Sequence, residues 1–438
     1  MSSASTPVLY VRVRGLRTNA GLALTGDIAT KAAAFGIVAA CARLLPIDEF
    51  AHLGVAIAAL TVFTAVVDGG LSTLIVRDGA SRRRESMALL RASVRARLPL
   101  AVFVITAGIA GGITIGDAWL GSATALAAVG SAGLLTLAAV FRAAQDLAPE
   151  AIQKGMVGVA TFGAAIVGAA VFARASAVVG LFAGAVWLSL VPFWLYTRRR
   201  IRDGREPMLA RRVLLAAAPF GLMALATLLY YRLGILVLGT VGSASATASY
   251  TIATTIAFGL LMVPNAITTG LLPRLSASGL GRNGTEAIRR ALGWTLSSCV
   301  LLTIVAAGCA PWVLRYGFGP RYESALTPLV VLLAGTVVIG VNGILGTALI
   351  AFRRTWMVGL QVGVSLGVNG ALAFLLVPRF GADGAAFATL GTELVGLGIL
   401  ATAAYRVVPD LLRPSARVVR REQGRSALVA DLRREPGR

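Results

Sequence analysis

A chain of 438 residues with 57% hydrophobic residues, 14% charged residues and a mean hydropathy of +0.80 falls outside the soluble globular class, in which about 25% of residues are charged. Its net charge of +22 would suit nucleic acid in a soluble protein. Here the basic residues flank apolar runs and no soluble basic domain remains to carry that function, so nucleic acid is excluded as a partner.

The chain contains twelve apolar runs of membrane-spanning length. The first, 19–45, reads NAGLALTGDIATKAAAFGIVAACARLL and exceeds the ~20 residues a spanning helix needs. It is also too long for a cleavable signal and is read as a retained first span. The second run is 50–76, followed by a basic connector, Arg77–Arg97, with room for a short surface helix. Runs 96–116 and 118–141 are divided at Gly116-Asp117; 150–172 and 176–197 complete a first group of six. A polar connector, TRRRIRDGREPMLARR, separates these from 212–238, 247–272, 290–314, 324–351, 355–378 and 383–405. The organisation expected is all-α and polytopic: an N-terminal segment 1–18, a six-helix lobe 19–197, an inter-lobe loop 198–211, a second six-helix lobe 212–405 and a basic tail 406–438.

Lys and Arg set the orientation of such a chain. Of the 41 basic residues, 34 fall on the side of the two termini and five on the other: Arg43, Arg174, Arg315, Arg321 and Arg379. Both termini are therefore expected in the cytoplasm, with the positive charge serving orientation and contact with anionic lipid. Only Lys31 and Lys154 are Lys; the rest are Arg, a bias read as that of a GC-rich source.

Small residues recur every fourth position at Gly108/Gly112/Gly116, Gly180/Gly184 and Gly359/Gly363/Gly367, a spacing that predicts close helix packing. Pro192, Pro219, Pro264 and Pro273 lie in or at the ends of spans and mark kinks or bending points.

No catalytic constellation is present. The one histidine, His52, allows no Ser/His/Asp set and no metal site, Cys41, Cys299 and Cys309 are scattered, and no phosphate-binding loop occurs. The expectation is a protein that is not an enzyme and has no cofactor or metal. What remains are polar residues inside spans, which are costly in lipid and mark pathways or partners. Asp27 and Lys31 are four apart on one helical face; either they neutralise each other or Lys31 reaches a hydrated cavity and an anionic substrate. Arg232 has no acid within four positions and either snorkels outward or lines that cavity, where a planar guanidinium suits phosphate. Asp68 pairs with Lys31, caps a break at Gly69-Gly70 or carries a proton. Glu393 is a proton carrier, the partner of a basic residue, or a packing residue. Asn265, Asn342 and Asn369 read as interhelical hydrogen-bond formers.

Several stretches carry a resemblance: LLVPRFGADGAAFATLGTELVGLGIL (375–400), SASATASYTIATTIAFGLLMVPNAITTGLLPRLS (243–276) with Tyr250, Ala253 and Pro273, ARLLPIDEFAHLGV and DGGLSTLIVR in the first two spans, and Arg321-Tyr322 in YGFGPRYESALTPLVVLL. In order and spacing, over residues 17–405, they resemble the Wzx-type polysaccharide and O-antigen flippases, within the superfamily that also holds multidrug exporters and lipid II flippases. One departure is Gly234, where family members often carry an acid after the basic position of the seventh span.

The resemblance implies two pseudo-symmetric lobes around a central cationic cavity, with Lys31 and Arg232, from the first helix of each half, facing each other across it. It implies a flippase in the bacterial plasma membrane that moves a polyprenyl-pyrophosphate-linked oligosaccharide to the outer leaflet. The partners implied are that lipid-linked glycan, the bilayer and glycan polymerase and chain-length proteins, with the chain itself monomeric. Lys31, Arg232 and Asp27 are the candidate substrate-binding residues, and Asp68 and Glu393 the candidates for ion or proton coupling. The alternatives are a cation-coupled exporter of drugs or small amphiphiles on the same fold, or a non-transporting membrane scaffold for glycan assembly.

Overall fold

The computed structural model describes residues 16–79, 86–144, 146–200, 209–278 and 282–409. Most of the expected tail, of the N-terminal segment and of the inter-lobe loop lies outside these residues. The described chain is all helix: α1 (Leu16–Leu44), α2 (Ile47–Asp68), α3 (Leu71–Gly79), α4 (Ser86–Thr114), α5 (Ala118–Ala143), α6 (Ala148–Val167), α7 (Ala175–Arg200), α8 (Ala210–Val241), α9 (Ala244–Leu260), α10 (Met262–Ser278), α11 (Arg282–Trp312), α12 (Leu326–Ala351) and α13 (Thr355–Val407). A π-helical turn, Gly168–Phe172, extends α6; another, Val313–Phe318, extends α11; a 3-10 turn, Pro320–Ala325, leads into α12.

Among the described residues, ten helical segments are long and apolar enough to cross a membrane. Two features raise this to twelve passes. α1 has 29 residues but carries Asp27 and Lys31. α13, with 53 residues, is broken at Gly381 (φ 55°, ψ −127°) into two lengths. Each expected run corresponds to one pass.

The passes pack as two groups. α1 lies on α6, and α2, α4, α5, α6 and α7 pack among themselves; α8 to α13 do likewise. In each group the second pass is broken. α2 stops at Gly69 and Gly70, both left-handed (φ 54° and 78°), a conformation open to glycine at little cost, and the chain resumes as α3. α9 stops at Leu261 and resumes as α10. The connector 77–97 is more helical than expected: α3 reaches Gly79 and α4 begins at Ser86, which places Arg97 inside a helix.

The groups meet along α2 and α8, which run antiparallel. At the end where α1 begins and α13 finishes, here the terminal end, a side chain at Gly70 or Gly221 would collide with the opposing backbone, and Arg77 lies over the Phe220 ring at 5.2 Å. At the opposite, distal end Gly239 lies against Val55 and Gly54 against Thr251. The largest apolar cluster also sits there and draws on both groups, from Val38 and Phe50 to Tyr250, Phe318 and Tyr322.

Only one expected glycine row forms a close seam. Gly108 and Gly112 receive Gly121 of α5, and a methyl on Gly108 would stand 2.7 Å from the Gly121 carbonyl. Gly116 instead ends the turn with φ 78°, and Asp117 caps α5 by accepting from the Leu120 N–H at 2.8 Å. At Gly359, Gly363, Gly367 and Gly184 a methyl group would meet no described neighbour within 4 Å. Spacing put these residues on one face but did not determine what the face meets.

Candidate functional site

Asp27 does not pair with Lys31. Its carboxylate accepts from Lys154 of α6 at 2.7 Å, and the same ammonium reaches Glu150 at 2.8 Å. Glu150 is buried and also bound by Arg142 of α5 at 2.6 Å. Asp27 thus ties α1 to α6 at the terminal end of the first group. Lys154 reaches Asp27 because Gly26 lets α6 approach until the lysine stem touches α1. Lys31 is exposed, and among the described residues no hydrogen bond or ion pair reaches its ammonium. It stands one turn from Phe35, whose ring meets Phe318 of the second group edge-on at 5.7 Å. Residues four apart share a face, so Lys31 lies on the face of α1 turned toward the second group.

Asp68 likewise has another partner than Lys31. Arg97 of α4 donates to it at 2.7 Å, with both side chains nearly buried, and Arg97 also donates to Thr136. Ser72 closes the break by bonding the same carboxylate. In sequence Arg97 falls in the basic connector, and nothing in its neighbours along the chain marks it as buried.

Arg232 lies on the stripe of α8 that runs along α2. It stands seven residues before Gly239 and eleven after Gly221, two and three turns away, and both glycines touch α2 or the break that ends it. It is part-buried and, among the described residues, makes no hydrogen bond and no ion pair. Lys31 and Arg232 therefore both face the boundary between the groups. α1 meets the second group through α9 and the turn Val313–Phe318, while α8 meets the first through α2, α3 and α4, so the two cations stand at different places along that boundary, and no described contact joins them.

Glu393 is buried at 2% exposure in the second group. Its donors are neutral: the Tyr230 hydroxyl at 3.0 Å and the Asn342 amide at 2.9 Å, the latter also bonding the Glu393 carbonyl. No basic residue reaches it among the described residues. Nearby, Asn369 donates to Thr392 at 3.2 Å, and Gln361 bonds Ser365. The Oδ1 atoms of Asn342 and Asn369 are buried without a donor. Asn342 and Asn369 thus join helices, as their type and setting indicated, whereas Asn265 is exposed.

The site as built is an inter-group boundary carrying two cations without described partners, flanked by a compensated acid cluster in the first group and an uncompensated buried carboxyl in the second. Among the described residues, no group of three His, Cys, Asp or Glu side chains is gathered to hold a metal.

A family model described as "polysaccharide biosynthesis protein" matches residues 16–278. No curated protein matches the sequence significantly. Among solved structures, the fold is similar to the lipid II flippase MurJ in an inward closed conformation, at 12% identity over 90% of this chain and 91% of that one, with a TM-score of 0.65. It is similar to a multidrug resistance MATE family transporter of the MOP superfamily in its outward-facing conformation, at 13% identity over 91% and 97%, with a TM-score of 0.65. It also resembles a MOP superfamily transporter from Pyrococcus furiosus described as having a binding pocket of reverse polarity, at 13% identity over 90% and 94%, with a TM-score of 0.61.

Proposed function

Because the chain belongs to the polysaccharide biosynthesis protein family, we propose that it is a flippase that carries a polyprenyl-pyrophosphate-linked oligosaccharide from the cytoplasmic to the outer leaflet of the bacterial plasma membrane. The observation that carries this reading is Arg232: a guanidinium part-buried at the boundary of the two halves, with no carboxylate to neutralise it among the described residues. A charge in that setting is costly unless something anionic visits it. A pyrophosphate offers several acceptor oxygens for bidentate, charge-assisted bonds. Lys31, exposed on the face of α1 turned to the other half, supplies the second cation. Asp27 is held by Lys154 and so does not screen Lys31 through a pair of its own. A fold similar to that of a protein described as a lipid II flippase supports the reading, since that protein too is named for moving a lipid across a membrane.

The two halves are the moving bodies: residues 19–197 form one and 212–405 the other, with both termini in the cytoplasm. Coupling falls to Glu393. A buried carboxyl held by neutral donors, beside two carbonyl oxygens without donors, has room to take up a proton or a monovalent cation. Asp68 is engaged by Arg97 and is less available. Coupling of this kind would serve an exporter of small amphiphiles equally well, so the substrate has to be settled by the headgroup.

The test is translocation of a pyrophosphate-linked glycolipid in vesicles containing the purified chain. Arg232→Ala and Lys31→Ala each lower the rate at least tenfold, the scale of one lost charged hydrogen bond, while Glu393→Gln removes the dependence on the ion gradient. Undiminished transport in both cation variants overturns the cationic-site mechanism. Transport of cationic amphiphiles without movement of the glycolipid favours the exporter reading.

A further inference from the structure

Two helices end against each other at the distal end of the boundary, and each stops at a proline. In an α-helix the carbonyl of Ala42 would be met by the N–H of residue 46, and the π-helical turn that carries Tyr316 ends at Phe318, just before residue 320. Both positions are proline, Pro46 and Pro320, which has no N–H to give. Each orphaned helix end is served by an arginine from the other half. Arg43 of α1 donates to the carbonyls of Tyr316 and Gly317, at 2.8 Å to Gly317. Arg321, one residue after Pro320, donates to the carbonyls of Ala42 and Leu45, at 2.9 Å to Leu45. The Tyr322 hydroxyl adds a bond to Ala42 at 3.0 Å, and its ring packs on Phe50 at 5.6 Å.

The exchange is reciprocal and suited to release. A helix C-terminus carries partial negative charge and attracts a cation, so the bonds favour closure. Neither arginine pairs with a carboxylate among the described residues, and both are exposed at the rim. Parting the halves therefore returns both guanidiniums and the bared carbonyls to water, and strands no buried charge, the situation that makes buried pairs hard to break. Arg43 and Arg321 are also two of the five basic residues on the distal side, where a membrane chain otherwise avoids them.

We propose that these crossed arginines are a latch that holds the distal end closed, each adding to the closed state, so that losing either shifts the halves toward parting there. The latch rests on the transport reading, because only a chain that opens at both ends needs one.

The experiment measures the distance between spin labels at Leu44→Cys and Tyr316→Cys, exposed positions on either side of the latch, in the full chain with Cys309→Ser. Cys41 and Cys299 are buried and stay in place. The unaltered latch gives one short distance. Arg43→Ala with Arg321→Ala adds a longer population, each charged donor holding about tenfold in the closed-to-open ratio. Arg315→Ala, a neighbouring exposed arginine with no described partner, leaves the short distance as it was. Arg321→Lys, which keeps one donor, restores most of the short population relative to Arg321→Ala. An unchanged distance in the double variant overturns the latch, as does an equal shift in Arg315→Ala. Should the double variant not fold, Arg321→Ala alone must show the longer population, and its absence overturns the latch as well. A chain that moves no glycolipid yet opens on losing both arginines refutes the flippase reading and leaves the latch standing.

Discussion

Three charges inside the spans illustrate how a buried ion is made tolerable, and the outcomes differ. Asp68 is matched by Arg97, at 14% and 8% side-chain exposure, with Thr136 and Ser72 adding hydrogen bonds. Removing one partner of such a pair leaves the other charged and buried, at about 3–5 kcal/mol. Asp68→Ala is thus expected to lower the thermal unfolding midpoint of the purified chain sharply, whereas Asp68→Leu with Arg97→Leu, which removes both charges, lowers it less. Equal losses in the two variants would mean that Asp68 serves the fold through something other than Arg97. Glu393 is stabilised by neutral donors, and Arg232 has no hydrogen bond or ion pair among the described residues. The sequence exposed all of these residues because a charge stands out in an apolar run. It hid their partners because only pairs within one helical turn can be read from spacing. Asp27 and Lys154 are 127 residues apart, and Glu393 and Tyr230 are 163 apart. The single pairing within reach of spacing, Asp27 with Lys31, is the one that the packing of α1 on α6 displaces.

At the scale of an element, glycine spacing and glycine contact separate. Gly121 presses into the gap left by Gly108 and Gly112, and any side chain there would collide with the Gly108 carbonyl. Gly363 has the same every-fourth spacing, yet a methyl there would meet no described atom within 4 Å. Gly121→Ala should therefore destabilise the chain by about 1–3 kcal/mol, as overpacking does, while Gly363→Ala is neutral or slightly stabilising, since alanine is the better helix former. Thermal unfolding of the two variants checks this, and a destabilised Gly363→Ala would show that its face is covered by something in the membrane. The number and order of passes were legible in sequence because each needs ~20 apolar residues, and the break of α13 at Gly381 fell between two runs already separated. The start of α4 was not legible. Arg91, Arg95 and Arg97 look like connector in a hydropathy reading, but a helix entering the membrane at a slant carries such residues on its flank, and one of them, Arg97, turns inward to Asp68.

Orientation belongs to the whole molecule and depends on the charge pattern. With 34 basic residues on the side of the termini and five opposite, the bias toward a cytoplasmic location is large, and the latch gives two of the five exceptions a reason to be there. Aromatic residues agree with two interfaces. Trp119 and Trp312 are exposed near the distal turns, and Trp356 and Tyr405 near the terminal ends, the depths where amphipathic rings settle. The flippase reading depends on a cytoplasmic terminal end, because a lipid-linked glycan built in the cytoplasm would then enter there and leave through the latched distal end. Single cysteines decide it. Arg174→Cys lies exposed in the distal turn before α7, and Arg354→Cys lies exposed at the start of α13. In a background with Cys309→Ser, a membrane-impermeant maleimide added to intact cells should label Arg174→Cys and spare Arg354→Cys until the membrane is permeabilised. The reverse pattern would place the latch on the cytoplasmic face, so that the end closed here would be the entry and the direction of transport would have to be inverted. Five passes separate the two positions: α7, α8, the broken pair α9 and α10, α11 and α12. An odd number of crossings leaves residues 174 and 354 on opposite sides, so labelling of both in intact cells would mean that one of these helices does not cross the bilayer.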